Sequence, residues 1–329
     1  MSAPAGPPQG GAANRMERAQ PANDRHPLPR EGGRGEGAPV ILLTGKNGQV
    51  GWELQRTLQA IGKVTAVGHA ELDLADAAAV DRKLDEARPD IIVNAAAYTA
   101  VDKAESEPDL AHAVNAAAPS LLAQWAARNG ALLIHYSTDY VYDGSKAAPY
   151  VESDKTNPLG VYGRSKLAGE AGIRAAGCDH LVFRTSWVYA ARGANFLRTM
   201  LRLAAEREEL RVVDDQVGAP TWARLIAEAT ALALRQALAE RRHGRFKSGL
   251  FHLACAGETS WHGFASAIVE GRQGLRVQRV TPITTAEYPL PAPRPANSRL
   301  DTGAFRARFG LALPDWREGL QLCLEELPQ

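Results

Sequence analysis

Three residues of this sequence have the types and spacing for acid–base chemistry at an oxygen. Tyr162 and Lys166, in the run Tyr-Gly-Arg-Ser-Lys, lie four positions apart, and Thr138 stands in Ser-Thr-Asp-Tyr at the end of an apolar segment. Residues four apart share a helix face. An ammonium close to a phenol favours the phenolate and lowers a pKa that is ~10 in isolation. A phenol tuned in this way can give a proton to an oxygen while hydride arrives at the attached carbon. The Thr138 hydroxyl can donate to the same oxygen. Tyr-x-x-x-Lys is also a common accident, with the tyrosine half buried and the lysine solvated. The pair therefore gains meaning only from what precedes it.

What precedes it is a candidate dinucleotide site. Residues 39–54 read P-V-I-L-L-T-G-K-N-G-Q-V-G-W-E-L. Val40 to Leu43 is a short continuous apolar run, as expected of a strand buried on both faces. From Gln49 to Leu58 the spacing is helical, with Val50, Leu54 and Leu58 on one face. Between them lie Gly45, Gly48 and Gly51. The first glycine permits a tight turn, the second lets backbone approach a pyrophosphate at the helix N-terminus, and the third allows close helix–strand packing. The alternative is a glycine-rich turn with no ligand. After the second strand, Gly68 and His69 supply neither the carboxylate that would bind ribose hydroxyls nor an arginine for a 2′-phosphate, which favours tolerance of NADPH. Asp73 and Leu74 follow and can border an adenine, although Asp73 can equally be a solvated loop residue.

These residues need a frame, and the chain supplies a repeating one. Short β-branched or apolar runs at 64–68, 90–96, 131–138 and 180–189 predict further strands. A helix is predicted from an Asp76 N-cap to Ala87, another over 110–128, and a third over 159–176 with Asn157 and Pro158 as N-cap and first position. Strands alternating with helices at this pace indicate βαβ units and a doubly wound α/β fold with a parallel sheet. Beyond about residue 190 the alternation loosens. Helical patterns at 195–208, 222–241 and 260–271 mix with short strands such as 211–215, and the Pro-rich stretch 289–295 reads as irregular surface.

The totals exclude several classes. The chain has 329 residues, 45% of them hydrophobic, and a formal net charge of +1. It carries no electrostatic footprint for nucleic acid or an anionic membrane. No apolar run approaches the ~20 residues of a membrane span. Cys178, Cys255 and Cys323 are widely spaced and suggest neither a disulfide framework nor a zinc site, which fits a reducing cytoplasm. Residues 1–38 contain seven Gly, six Pro and five Arg but one Leu and no Val, Ile or Phe, so they read as a disordered tail.

In their order, the strand–glycine–helix motif, Asn-Ala-Ala-Ala after a third strand, Ser-Thr after a fourth, and Tyr-x-x-x-Lys resemble the extended short-chain dehydrogenase/reductase superfamily. The runs G-K-N-G-Q-V-G-W-E-L, N-A-A-A-Y-T-A-V-D-K, S-T-D-Y-V-Y-D-G, Y-G-R-S-K-L-A-G-E, R-T-S-W-V-Y, D-D-Q-V-G-A-P-T and R-P-A-N-S-R-L narrow this to a resemblance to the dTDP-4-dehydrorhamnose reductase family, spanning nearly all of 40–320. The resemblance implies a Rossmann-type NAD(P)-binding domain over 39–190, with later segments returning to it, and a smaller nucleotide-sugar domain over 191–329. It places catalysis on Thr138, Tyr162 and Lys166. Cofactor contacts fall on Gly45, Gly48, Gln49, Val50, Asp73, Leu74, Ala97, Tyr98, Thr99 and Tyr136, with Tyr162 and Lys166. Contacts with a dTDP-sugar fall on Thr138, Asp139 and Trp187. NADPH is the expected cofactor, with NADH also accepted; a magnesium requirement and the oligomeric state, a homodimer included, stay open. Other readings are a reductase of another nucleotide-linked 4-ketosugar and a non-catalytic regulatory subunit of the methionine adenosyltransferase type. A sugar dehydratase would place an acid after Thr-Asp, where this chain has Tyr140. On the residues alone, Trp187 reads as core, the arginines of R-P-A-N-S-R-L as part of a turn or as pyrophosphate ligands, and Glu105, Glu107 and Asp109 as an acidic helix start rather than a metal site.

Overall fold

The computed structural model describes residues 37–327; the stretch read above as a disordered tail lies outside them as far as residue 36. Five strands, β1 (Val40–Thr44), β2 (Lys63–Val67), β3 (Ile91–Asn94), β4 (Leu132–Thr138) and β5 (Asp179–Thr185), alternate with α1 (Gln49–Thr57), α2 (Ala77–Ala87), α3 (Val101–Ala104), α4 (Pro108–His112), α5 (Ala118–Asn129) and α6 (Val161–Ala176). The chain then adds β6 (Val188–Tyr189), α7 (Phe196–Glu206), β7 (Glu209–Val213), β8 (Val217–Gly218), β9 (Thr221–Trp222), α8 (Ala223–Arg242) and β10 (Gly249–His252). It closes with β11 (Thr259–Ser260), α9 (Trp261–Glu270), β12 (Arg279–Ile283), α10 (Gly303–Phe309) and α11 (Trp316–Glu325).

The main sheet has the order β10-β5-β4-β3-β1-β2, with every neighbouring pair parallel. The chain moves outward from β1 to β2, then returns to the other side of β1 with β3. That reversal leaves a crevice beyond the carboxyl ends of β1 and β3, where open α/β sheets bind ligands. Alternate side chains anchor the sheet from both faces. Ile41 and Leu43 join a core with Leu54 of α1, Ile226 of α8 and Phe305 of α10; Leu42 joins another with Val80, Leu122 and Ile173. Each fully buried aliphatic chain contributes about 1.5–3 kcal/mol, which explains why a strand of five residues holds its place. A smaller C-terminal domain has its own core around Tyr189, Leu197, Phe264 and Trp316. Two late segments return to the sheet: β10 pairs with β5, and α8 packs on its α1 face.

Three local expectations change. The helix predicted over 110–128 is interrupted by a π-helical turn, Ala113–Ala117. That wide turn frees Asn115, whose side chain accepts from Tyr98 N (2.9 Å) and donates to Tyr98 O (3.0 Å) and Ser165 Oγ (3.1 Å). Such bulges are frequent at functional sites. The helix predicted from Asn157 starts instead after Gly160, which has no side-chain cap to offer. Glu105 supplies it from a distance, accepting from Val161 N at 2.7 Å, while Asn157 donates to Asp143. The strand predicted over 180–189 stops at Thr185, and Trp187 breaks it with a left-handed φ of 48° before β6 begins.

Candidate active site

A cleft of about 1330 Å³ opens at the reversal point and is lined by the glycine loop, the ends of β2, β3 and β4, α6, and the segment from Thr185 to Phe196. Pockets for one drug-sized ligand hold ~300–1,000 Å³, so this space is larger than one such ligand needs. Every cofactor, substrate and catalytic residue predicted from the sequence lines it except Asp139.

The glycine loop is shaped by close approach. Gly45 has φ +78°, and a Cβ there would lie 2.6 Å from Ala96 N. At Gly51 an added Cβ would lie 2.0 Å from the Gly45 carbonyl oxygen, so the start of α1 can sit against the loop only as glycine. Gln49 reaches across to Val188 O (3.3 Å), and its own Oε1 is buried without a partner.

At the end of β2 the sequence reading misses a carboxylate. Glu71 folds back to accept from Gly68 N (2.9 Å) and pairs with Lys46 Nζ (2.6 Å). The ammonium and the backbone donor hold its carboxyl below the usual range. The signal is a Glu four residues beyond β2, opposite a Lys that follows the first loop glycine. Asp73, the acid named from the sequence, spends Oδ1 on Ala75 N (2.9 Å).

The proton-handling end is more deeply buried. Lys166 is 2% exposed and donates to the Tyr136 carbonyl (2.6 Å), with His135 Nε2 at 3.2 Å. His135 belongs to a polar row in register across three strands: Thr44 donates to Asn94 Oδ1 (2.6 Å), and Asn94 Nδ2 lies 3.1 Å from His135 Nδ1. Burial holds the imidazole well below its ordinary pKa. Burial also lowers Lys166 to about 8, against the pull of Glu170 one turn on. Glu170 is itself matched by Arg184, which donates from Nε (2.8 Å) and Nη2 (2.6 Å).

The expected lowering of Tyr162 is not found. Burial pushes its phenol up to about 12; the adjacent Thr138 hydroxyl pulls it down, and Asp139 pushes it further up. Lys166 does not offset this, because its amine is turned to Tyr136 and His135. Thr138 donates to Asp139 Oδ1 (3.0 Å) and accepts from Tyr140 N (3.1 Å). Asp139 thus stands behind Thr138, 3% exposed, and burial raises its carboxyl to about 6. Tyr136, named as a cofactor contact, directs its phenol away to Thr230 of α8 (2.8 Å) and offers the site its carbonyl. Tyr98 donates to Glu107 (2.7 Å), whose carboxylate raises the phenol to about 12.

Trp187 is half-buried on the cleft wall, its ring 3.6 Å from that of Trp261 and nearly parallel at 10°. Trp261 went unnoticed in the sequence because it opens a helix 74 positions later and carries no local motif. The arginines of R-P-A-N-S-R-L are committed elsewhere, Arg294 to Asp102 (2.9 Å) and Arg299 to Glu258 (2.8 Å). Of the acidic cluster, Glu105 caps α6 and Glu107 holds Tyr98. Among the described residues no group of three His, Cys, Asp or Glu could hold a metal ion, and no helix is long and apolar enough to cross a membrane.

Comparison with known proteins agrees with this arrangement. A family profile described as RmlD substrate binding domain matches residues 39–328. The chain is 54% identical over 293 residues to a dTDP-4-dehydrorhamnose reductase of Burkholderia thailandensis, covering 87% of this chain and 98% of the relative. It is 48% identical over 295 residues to the Escherichia coli protein of the same name, covering 87% and 97%. Among solved structures, a Bacillus anthracis dTDP-4-dehydrorhamnose reductase in complex with NADP superposes with a TM-score of 0.80 at 34% identity, covering 88% of this chain and 99% of that one. A Clostridium acetobutylicum counterpart gives a TM-score of 0.79 at 38% identity, covering 87% and 98%. Sequence, fold and cleft agree: the chain belongs to the dTDP-4-dehydrorhamnose reductase family of the extended short-chain dehydrogenase/reductases.

Proposed function

We propose that this protein reduces dTDP-4-dehydro-6-deoxy-L-mannose to dTDP-L-rhamnose with NAD(P)H. The observation that carries the reading is the convergence of Thr138, Tyr162 and Lys166, from β4 and α6, on the cleft that the glycine loop also lines. The dinucleotide fits the donors present: the first turn of α1 leaves backbone N–H groups without a side-chain cap, and glycines clear their approach. The glycine loop and the first turn of α1 would hold the dinucleotide, whose nicotinamide would supply the hydride for the sugar's C4. Thr138, turning its hydroxyl from Asp139 to the substrate, polarises the C4 carbonyl, and Tyr162 gives its proton to the oxygen, so that hydride and proton together complete the alcohol. A phenol at about 12 stays protonated through the physiological range, so the proton to be given is in place. Lys166, with one donor committed to Tyr136 and His135 alongside, keeps N–H capacity for a ribose hydroxyl at the cleft.

Both cofactors fit the adenosine end. Lys46 offers a cation to a 2′-phosphate, and Glu71, once released from Lys46, offers a carboxylate to ribose hydroxyls. NADPH and NADH are therefore both used, NADPH at least as well. Three buried free cysteines suit a reducing cytoplasm. Incubating the purified protein with NADPH and the dTDP-4-ketosugar, then identifying the product, tests the reading. NADPH binding without oxidation in the presence of that sugar would sink it.

A further inference from the structure

We propose that Gly218 is a positioning residue that sets where the Trp187 indole stands in the cleft, and so how well the sugar is held. Gly218 lies on β8, far in sequence from every residue considered catalytic. Its φ is not in the left-handed region, so the backbone does not demand glycine there. Space does. A Cβ on Gly218 would lie 2.6 Å from Trp187 Cε2, 2.9 Å from Nε1 and 3.0 Å from Cδ2. The strand cannot back away, because Gly218 pairs with Thr259 while Val217 donates to Ala296 O (2.8 Å) and accepts from Ser298 N (2.7 Å). Any side chain at 218 must push the indole.

Other contacts already fix that indole. Trp187 has a left-handed φ of 48°, a conformation that persists in a non-glycine residue only when its surroundings over-determine it. Here they do: the Trp187 carbonyl accepts from Thr221 N (3.1 Å), and the ring stacks on Trp261. Trp261 is held in turn by Phe196, with ring centroids 4.6 Å apart, and by donation to Gln216 Oε1 (3.2 Å). Both indoles line the cleft with Thr138 and Tyr162. The inference rests on the proposed reading that a nucleotide sugar occupies this cleft against Trp187.

Gly218→Ala tests it with two readouts. Stacked indoles give an exciton couplet in circular dichroism, assigned by its loss in Trp261→Phe. The Ala variant should lose the couplet and lose about 10- to 100-fold in kcat/KM for the dTDP-4-ketosugar, as ångström-scale misplacement does. Its affinity for NADPH should stay within ~2-fold of the parent, since the glycine loop is untouched. A couplet that survives, or one that is lost with kcat/KM unchanged, overturns the proposal. If the Ala variant does not fold, Trp261→Leu and Trp261→Phe decide. Leu should lose sugar turnover and Phe recover most of it, and equal, parental values in both overturn the proposal. If the parent turns over no sugar nucleotide, the reading of the cleft fails, and the couplet alone decides whether Gly218 sets the indole.

Discussion

The wall that carries Thr138, Tyr162 and Lys166 is made of strand ends and one long helix. The wall that carries Trp187 and Trp261 is made of two-residue strands, the first residues of α7 and α9, and stacked rings. On the first, positions follow from sheet register: Thr44, Asn94 and His135 stand in one row because β1, β3 and β4 are paired there. On the second, short backbone pairings hold the chain, and the ring positions follow from side chains leaning on one another. A wall fixed by backbone hydrogen bonds suits proton transfer, which tolerates little displacement. A wall fixed by packing can be retuned by single substitutions without disturbing the sheet, which suits choice of substrate.

This contrast can be broken most forcefully at Tyr162. Tyr162→Phe removes the proton and leaves the ring, so kcat should fall by ~10²–10⁴-fold while NADPH affinity and melting temperature hold. More than half the parental turnover would show that the proton comes from elsewhere. Lys166 comes next. In the proposed reaction it acts as the ammonium, and burial lowers that ammonium to about 8. Turnover should therefore be full below that pH and decline as pH rises through it, with Lys166→Met abolishing the alkaline limb along with most activity. A rate flat to well above that pH would refute the assignment.

The smaller effects sharpen the comparison. Lys46→Ala should weaken NADPH use by about 10-fold and leave NADH use unchanged or improved, measured as the ratio of the two kcat/KM values. An unchanged ratio would remove Lys46 from cofactor choice. Glu105→Gln weakens the side-chain acceptor for the first backbone N–H of α6. It should cost up to ~1 kcal/mol of stability by chemical denaturation, with turnover reduced only modestly. A large loss of turnover at unchanged stability would mean that the cap orients Tyr162 directly.

What was legible in the sequence follows the same division. Gly45, Gly48 and Gly51 betray themselves because their reasons are local, and Tyr162 and Lys166 because four residues make one helical turn. The fold class was readable from the alternation of apolar runs and helical patterns, since β1 and β3 are buried on both faces. The cap of α6 was misread because Asn157 and Pro158 have the right types next door, while the true acceptor lies 56 positions away. Glu71 has a legible place just past β2, but its pairing with Lys46 shows only on folding. The stack of Trp187 on Trp261 has no local trace, and neither does the need for glycine at 218. The arginines of R-P-A-N-S-R-L looked like phosphate ligands because their carboxylate partners, Asp102 and Glu258, are distant in sequence.

Tyr136 carries a lesson for mutagenesis. Its closest service to the site is a main-chain carbonyl, 2.6 Å from the Lys166 amine, while its phenol is occupied with Thr230 on the far side of the sheet. Replacing the side chain leaves that oxygen in place. An alanine scan would therefore score position 136 by what it does for the core and pass over the atom that holds the lysine. Only exchanging the amide for an ester, which weakens the carbonyl as an acceptor, would expose the debt.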